Sequence, residues 1–369
     1  MIKPVKVGVI GCGNISSAYF DHAPAFPILE VVACADLDQD KARAQAAKFS
    51  IPQVLSVDEL LAHPEIEIVL NLTIPQAHVP IARQAIAHGK HTYAEKPFGL
   101  DREDAKPLLE EAVAKGLRVG CAPDTFMGTG VQTARKVIDA GAIGAPVAFT
   151  AFMMGRGHET WHPSPEFYYE PGGGPMFDMG PYYLTALLNL LGPIKRLTGL
   201  ASIAIPERTI TSQPKYGKQI TVTTPDHIVG TMEFVSGAVG TIIMSFAVHH
   251  SPYDGKFPIT IMGTDGSLKV PDPNGFDGPV EIARPGEDWE AVPNTFTEGY
   301  GRMVGVADMA YAIRSGRPHR ASAEQAYTVL DAMQGFLDSS RTGQTYMLTA
   351  PYERPAPMPT GLPFGTLDE

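Results

Sequence analysis

Cysteine is scarce in this chain: three in 369 residues, Cys12, Cys34 and Cys121, far apart and without metal-ligand spacing. That excludes a disulfide framework and a cysteine-built metal site, and reads as buried, reduced thiols in a cytoplasmic protein. Charged residues amount to only 19%, the net charge is −11, and Lys and Arg form no run anywhere. Nucleic acid and anionic membrane both demand clustered cations, so neither is expected as a partner. No stretch reaches the roughly 18 consecutive apolar residues of a membrane span. The opening MIKPVKVGVIGCGN moves almost directly into a strand and lacks the regions of a secretory signal. What is present is a 44% apolar composition, that of a folded chain long enough for two cores.

The first 123 residues alternate in type. Apolar runs at 5–10, 31–35, 66–72, 92–94 and 118–121 read as buried parallel strands. Helical stretches separate them: one opening on the capping box Ser56–Glu59, one at 80–88 closed by Gly89, and one at 101–115 closed by Gly116. This alternation predicts a doubly wound parallel sheet. From Asp124 the pattern changes to a helix at 131–140, a strand at 147–154, a Gly/Pro/aromatic loop and an apolar helix at 177–191. Strands of period two follow, 227–234 and 239–248 flanking the turn Ser236-Gly237, and two helices come late, at 301–314 and 323–340. The expected architecture is α/β, with domain 1–123, an α+β domain 124–350 on a large, mostly antiparallel open sheet, and a Pro-rich strap at 351–369.

Gly11-Cys12-Gly13-Asn14-Ile15-Ser16 lies directly after a strand and before a helix. Gly11 permits the tight turn, Gly13 lets the backbone approach a diphosphate, and the helix N-terminus presents its N–H groups to the anion. Ser16, in place of the third glycine, is small enough to keep helix and strand packed. Asp36, at the end of the second strand, accepts hydrogen bonds from an adenosine ribose diol and repels a 2′-phosphate. No Arg stands in 35–39. The cofactor expected is therefore NAD, ahead of NADP; the alternative for Asp36 is a cap on the helix starting near Asp38. Thr73, Pro75 and His78, in the loop after the next strand, are counted with the cofactor contacts.

Two further motifs carry polar groups where chemistry is expected. Glu95-Lys96-Pro97 ends a strand, and ligands of open α/β sheets bind at the carboxyl ends of strands. Lys96 there can stabilise a developing alkoxide, or simply pair with Glu95 or water. In Gly172-Gly173-Gly174-Pro175-Met176-Phe177-Asp178-Met179-Gly180-Pro181-Tyr182, Asp178, Tyr182 and Thr185 share one helical face, with Asp178 in the first turn. The competing reading is a helix-terminal aspartate beside a core tyrosine.

Together these motifs, with Gly263-Thr264-Asp265-Gly266 and Ser322-Ala323-Glu324, resemble the Gfo/Idh/MocA oxidoreductases, named for glucose–fructose oxidoreductase and inositol 2-dehydrogenase. The resemblance covers nearly the whole chain. It implies a Rossmann domain joined to an open-sheet domain that often forms the oligomer interface, hence a homodimer or homotetramer. It further implies that Lys96 is the catalytic lysine, with Glu95 and Lys96 beside the cofactor, that the bond to Pro97 is cis, and that Asp178 binds substrate near Lys96. The family pattern Asp-x-Gly-x-His-x-x-Asp departs here to Tyr182 and Thr185. Tyr182 is accordingly the candidate general acid/base, with Tyr183 as its rival.

The expected reaction is hydride transfer between a secondary hydroxyl of a sugar, cyclic polyol or sugar derivative and a nicotinamide. The loop Arg156-Gly157-His158-Glu159-Thr160-Trp161-His162 suits a carbohydrate, giving hydrogen bonds and an aromatic face, so His158, Trp161 and His162 join Lys96, Asp178 and Tyr182 as substrate contacts. No metal is expected. Other outcomes stay open: a glycosidase using transient oxidation, or a dinucleotide-binding sensor without catalysis. Asp124 either caps the next segment or reaches the cleft, and His249 and His250 fall at a strand end.

Overall fold

The computed structural model describes residues 2–251, 255–350 and 352–368. Pro351 and Glu369, two members of the expected strap, lie outside the described residues. The first half runs β1 (Val5–Ile10), α1 (Asn14–His22), β2 (Leu29–Ala35), α2 (Gln39–Phe49), β3 (Gln53–Leu55), α3 (Val57–Ala62), β4 (Ile68–Asn71), α4 (Pro75–Ala87), β5 (His91–Ala94), α5 (Arg102–Ala114), β6 (Val119–Cys121), α6 (Thr129–Asp139), β7 (Pro146–Met154), α7 (Gly174–Asp178) and α8 (Gly180–Leu191). The second runs β8 (Ile194–Ser202), β9 (Glu207–Thr209), β10 (Gln219–Thr221), β11 (His227–Phe234), β12 (Val239–Ser245), β13 (Ile259–Gly263), β14 (Ser267–Val270), β15 (Val280–Ala283), β16 (Glu290–Val292), α9 (Val304–Ser315), α10 (Ala323–Thr342) and β17 (Tyr346–Met347).

The first sheet has the order β3-β2-β1-β4-β5-β6, every neighbouring pair parallel. β4 is buried at all four residues, the signature of a strand covered on both faces, which is why these strands read as unbroken apolar runs. The chain turns outward in both directions from β1, so the crevice at the carboxyl ends of β1 and β4 is the expected ligand position. The Ser56–Glu59 capping box forms in both directions, at 3.2 and 2.9 Å. The helix expected from Pro80 starts earlier, at Pro75, which takes the first helical position where a missing N–H costs nothing. β3, three half-buried residues, is too short to leave a periodic signal.

The second sheet has nine strands in the order β16-β15-β14-β13-β7-β12-β11-β8-β17. Among the described residues only its β7–β12 pair is parallel. β11 and β12 close through Ser236-Gly237, with Gly237 at φ +95°. Gly230 and Gly199 give α10 its close approach: a Cβ on Gly230 would stand 2.2 Å from the Phe336 ring. α8 is buried at every residue and is apolar all round, as a core helix must be.

One expected helix is two. The run at 177–191 breaks at Met179, so Asp178 ends α7 rather than sitting in the first turn of a longer helix, and it does not share a helix with Tyr182. Pro181 has no N–H to return to Phe177, and a proline serves best where a helix begins anew.

Cα packing divides the chain into two compact units: Met1–Thr129 with Thr295–Leu330 and Pro355–Glu369, and Gly130–Asn294 with Asp331–Arg354. A late segment thus returns to the first sheet, where the sequence suggested a continuous stretch 124–350. Gly120 permits it, since a Cβ there would meet Met309 of α9 at 2.6 Å and Ala321 O at 2.8 Å. Cys121 N donates to Ala321 O at 3.2 Å, which closes the β6 edge. Tyr300 stacks between Phe26 and Phe364 at 5.8 and 5.1 Å. Among the described residues no helix is long and apolar enough to cross a membrane.

Candidate active site

In the first unit the loop after β1 has one position that only glycine fills. Gly11 stands at φ +100°, and a Cβ would lie 2.6 Å from the carbonyl group of Leu72. Gly13 differs: it is exposed, and a Cβ there would meet nothing within 4 Å. No side chain caps α1 at Gly13, and Asn14 and Ile15 are exposed beside it. An uncapped helix N-terminus under an open glycine can receive an anionic group. Ser16 is buried, its hydroxyl turned back to Gly13 O at 2.6 Å.

Asp36 is not the cap of α2. Asp38 does that, accepting from Asp40 N and Lys41 N. The Asp36 carboxylate accepts from Cys12 N at 2.7 Å and Asp38 N at 2.8 Å, which ties it to the glycine loop and leaves lone pairs for further donors. Leu37 beside it is 96% exposed, and no cation stands at 37 or 38.

Lys96 follows β5 at the same carboxyl edge of the sheet, and its bond to Pro97 is cis. Its backbone N–H donates to Glu95 Oε2 at 2.9 Å, while Tyr19 Oη donates to Glu95 Oε1 at 2.8 Å. Glu95 is therefore spent inside the protein. Arg302, from the returning segment, lies 3.9 Å from Glu95 and 3.5 Å from the fully buried Asp124, which also accepts from Gly305 N at 3.1 Å. Burial pushes the Glu95 carboxyl up, but Arg302, Lys96 and the Tyr19 hydroxyl outweigh it and hold it below the ordinary value. At Asp124 burial wins and holds the carboxyl above it. Asp124 thus does not cap the segment that follows it; it is fully buried and takes an N–H from the first turn of α9.

His78 is buried between two carbonyls, Nδ1 2.7 Å from Pro97 O and Nε2 3.1 Å from Thr73 O, and burial holds its pKa below the ordinary value. It links the β4–α4 loop to the residue after Lys96. Thr73 donates to Asn71 Oδ1 through both N and Oγ1, which shapes the same loop ahead of Pro75.

In the second unit, Asp178 ends α7 and meets the loop after β7. His158 Nε2 stands 3.3 Å from Asp178 Oδ2, and the two side chains are 13% and 12% exposed. The His158 ring stacks on Tyr168 at 3.8 Å and packs against Phe246 and Trp161 at 4.7 and 5.1 Å. Trp161 is 62% exposed, an open aromatic face. His162 Nδ1 accepts from Ser164 N at 3.0 Å, and burial lowers its pKa. Tyr182 is buried in the first turn of α8. Tyr183 is buried too, and burial followed by the Asp272 charge pushes its phenol up. His249 Nδ1 lies 3.1 Å from Arg156 Nη1.

Residues 5–122 match the family profile described as an oxidoreductase family with an NAD-binding Rossmann fold, and residues 131–269 match the GFO/IDH/MocA C-terminal domain. The chain belongs to the Gfo/Idh/MocA oxidoreductase family. An oxidoreductase of Schizosaccharomyces pombe is 32% identical over 206 residues, 52% of this chain and 53% of that protein. The levoglucosan dehydrogenase of Pseudarthrobacter phenanthrenivorans is 24% identical over 72% of this chain and 73% of that one. The inositol 2-dehydrogenase of Burkholderia cenocepacia is 32% identical over 39% and 44%. The match with the first of these therefore spans about half its length. Among solved structures, an NAD-binding oxidoreductase of Klebsiella pneumoniae superposes with a TM-score of 0.82 at 22% identity, over 94% of this chain and 99% of that one; this likeness is one of fold.

Sequence reasoning found neither Arg302 nor Tyr19, and it passed over Arg208. Arg302 stands 207 positions after Glu95, in a stretch without a motif. Its only local mark is backbone strain: Met303 next to it is a non-glycine residue at φ +86°, which sequence does not reveal.

Proposed function

We propose that this chain catalyses NAD-dependent hydride transfer between a secondary hydroxyl of a sugar, cyclic polyol or sugar derivative and the nicotinamide. The observation that carries it is Lys96 at the carboxyl edge of the parallel sheet, its backbone held by a buried carboxylate, with the open Gly13 seat at the same edge. The relatives named as levoglucosan and inositol dehydrogenases support the substrate class. Gly13, Asn14 and Ile15 would hold the diphosphate, and Asp36 the ribose hydroxyls, with no cation nearby for a 2′-phosphate. When bound, the dinucleotide supplies the hydride acceptor. Lys96 donates to the substrate oxygen and stabilises the alkoxide charge as it develops. Tyr182 takes the hydroxyl proton, and Asp178 receives neighbouring hydroxyls and so fixes the ring. Leu200 and Val239, exposed on the same face of β8 and β12, support a homodimer or homotetramer built through the second sheet.

Initial rates of NAD reduction with inositols, aldoses, ketoses and anhydrosugars test the reading. One class should reduce NAD, and Lys96→Met and Tyr182→Phe should each lower turnover about 10²-fold or more while NAD still binds. Tight NAD binding without turnover on any of these substrates would overturn it. Near-normal turnover in Tyr182→Phe would remove that residue as the base.

A further inference from the structure

We propose that His158 is the positioning residue for Asp178, holding one carboxylate oxygen and so fixing the orientation in which the carboxylate meets the substrate; this rests on Asp178 as the substrate-binding carboxylate. The imidazole has little freedom. Tyr168 stacks on it at 3.8 Å and 21°, and Phe246 closes its edge at 4.7 Å and 67°. Nε2 faces Asp178 Oδ2 at 3.3 Å. Nδ1 is buried and has no hydrogen-bond partner among the described residues. A proton on Nδ1 would be stranded without an acceptor, whereas Nε2 has a carboxylate oxygen 3.3 Å away. The surroundings thus select the Nε2–H tautomer, which makes His158 a donor to Asp178. The 3.3 Å separation is long for such a bond, and catalytic contacts of this kind shorten when ligand is bound.

The loop that carries His158 is built to hold it still. The neighbouring Glu159 is buried and accepts from Arg208 Nη1 at 2.9 Å and from the Tyr169 hydroxyl. Its carbonyl receives Thr211 N at 2.9 Å and Ser212 N at 3.2 Å. Arg208 continues to Asp226 Oδ2 at 2.7 Å and Phe246 O at 2.9 Å, so the same guanidinium fixes both the loop and the Phe246 backbone. Asp226 in turn accepts from Ala204 N and Ile205 N at 2.6 and 3.2 Å. A buried ionic cluster whose carboxylates are this fully paired is a rigid support. What it supports is one histidine against one aspartate, next to the open face of Trp161. A carboxylate free to swing would bind hydroxyls at several angles, and small angular errors are costly to hydride transfer.

Two measurements on the full chain decide this. In nitrogen-15 histidine spectra, with His158 assigned by its loss in His158→Phe, the ring should be the Nε2–H tautomer and its Nε2 signal should move in Asp178→Asn. An Nδ1–H tautomer, or a signal indifferent to Asp178→Asn, would overturn the proposal. In steady-state kinetics with the most active sugar or polyol, His158→Phe should raise KM about tenfold to hundredfold, the loss expected for a hydrogen bond to a charged group. His158→Gln, which keeps an N–H donor near the Nε2 position, should recover most of that loss, and NAD affinity should stay unchanged in both. Equal losses in the Phe and Gln variants would leave only a packing role and overturn it. If no polyol or sugar is turned over, the proposed function fails while the spectra still decide the His158–Asp178 pair.

Discussion

Replacing Arg302 by methionine removes a cation that two buried carboxylates share. Its guanidinium stands 3.5 Å from Asp124 and 3.9 Å from Glu95, in a position only 13% exposed. Unit charges about 4 Å apart attract by roughly 4 kcal/mol at an effective dielectric of about 20. The Tyr19 hydroxyl and the Gly305 and Lys96 N–H groups remain, and a carboxylate can take up a proton, so the net loss falls to about 3–5 kcal/mol. That corresponds to a thermal midpoint lower by about 10 °C for a unit of this size. The loss depends on pH with a definite sign. In the wild-type chain Glu95 has its folded pKa held below the unfolded one, so its contribution is present above the unfolded pKa and fades as pH falls through the folded one. Asp124, held above, contributes below its unfolded pKa and loses that contribution as pH rises through the folded one. Without Arg302, burial dominates both groups and Glu95 joins Asp124. Urea unfolding followed by circular dichroism should therefore show the wider difference near pH 8 and a narrower one near pH 5, with Arg302→Lys in between. A difference below about 0.5 kcal/mol at both values, or one that grows toward acid, refutes the assignment of Arg302 as the shared counter-ion.

Two further predictions concern the cofactor loop. Gly11→Ala places a Cβ 2.6 Å from the Leu72 carbonyl group at a φ that disfavours any side chain, so NAD affinity by fluorescence titration should fall at least tenfold; a change under twofold would show that the loop relaxes freely. Asp36→Ser with Leu37→Arg removes the carboxylate and adds a cation for a 2′-phosphate, so the ratio of kcat/KM values should move toward NADP by an order of magnitude or more. Unchanged selectivity would show that the ribose is read elsewhere.

The strand–glycine loop–helix of the first unit was legible because its requirements are mostly local. A strand, a tight turn and a helix start follow one another within 20 residues, and Gly11 is demanded by a contact with the end of β4, the strand that the doubly wound order places beside β1. The hairpin at Ser236-Gly237 and the buried thiols could be read for the same reason, since each depends on residues adjacent in sequence or on plain apolarity, whereas the cis bond at Pro97 was implied by the family resemblance. The break at Met179 was hidden because apolar periodicity runs straight through it, and only the missing N–H of Pro181 marks the place. Tertiary structure alone decided that Arg302 serves Glu95 and Asp124, that α9 covers the first sheet, and that His158 meets Asp178. Those partners are joined by packing over tens to hundreds of positions. A charge or a ring carries no local signal of the distant group that will neutralise or enclose it, since that choice is made by burial when the elements come together.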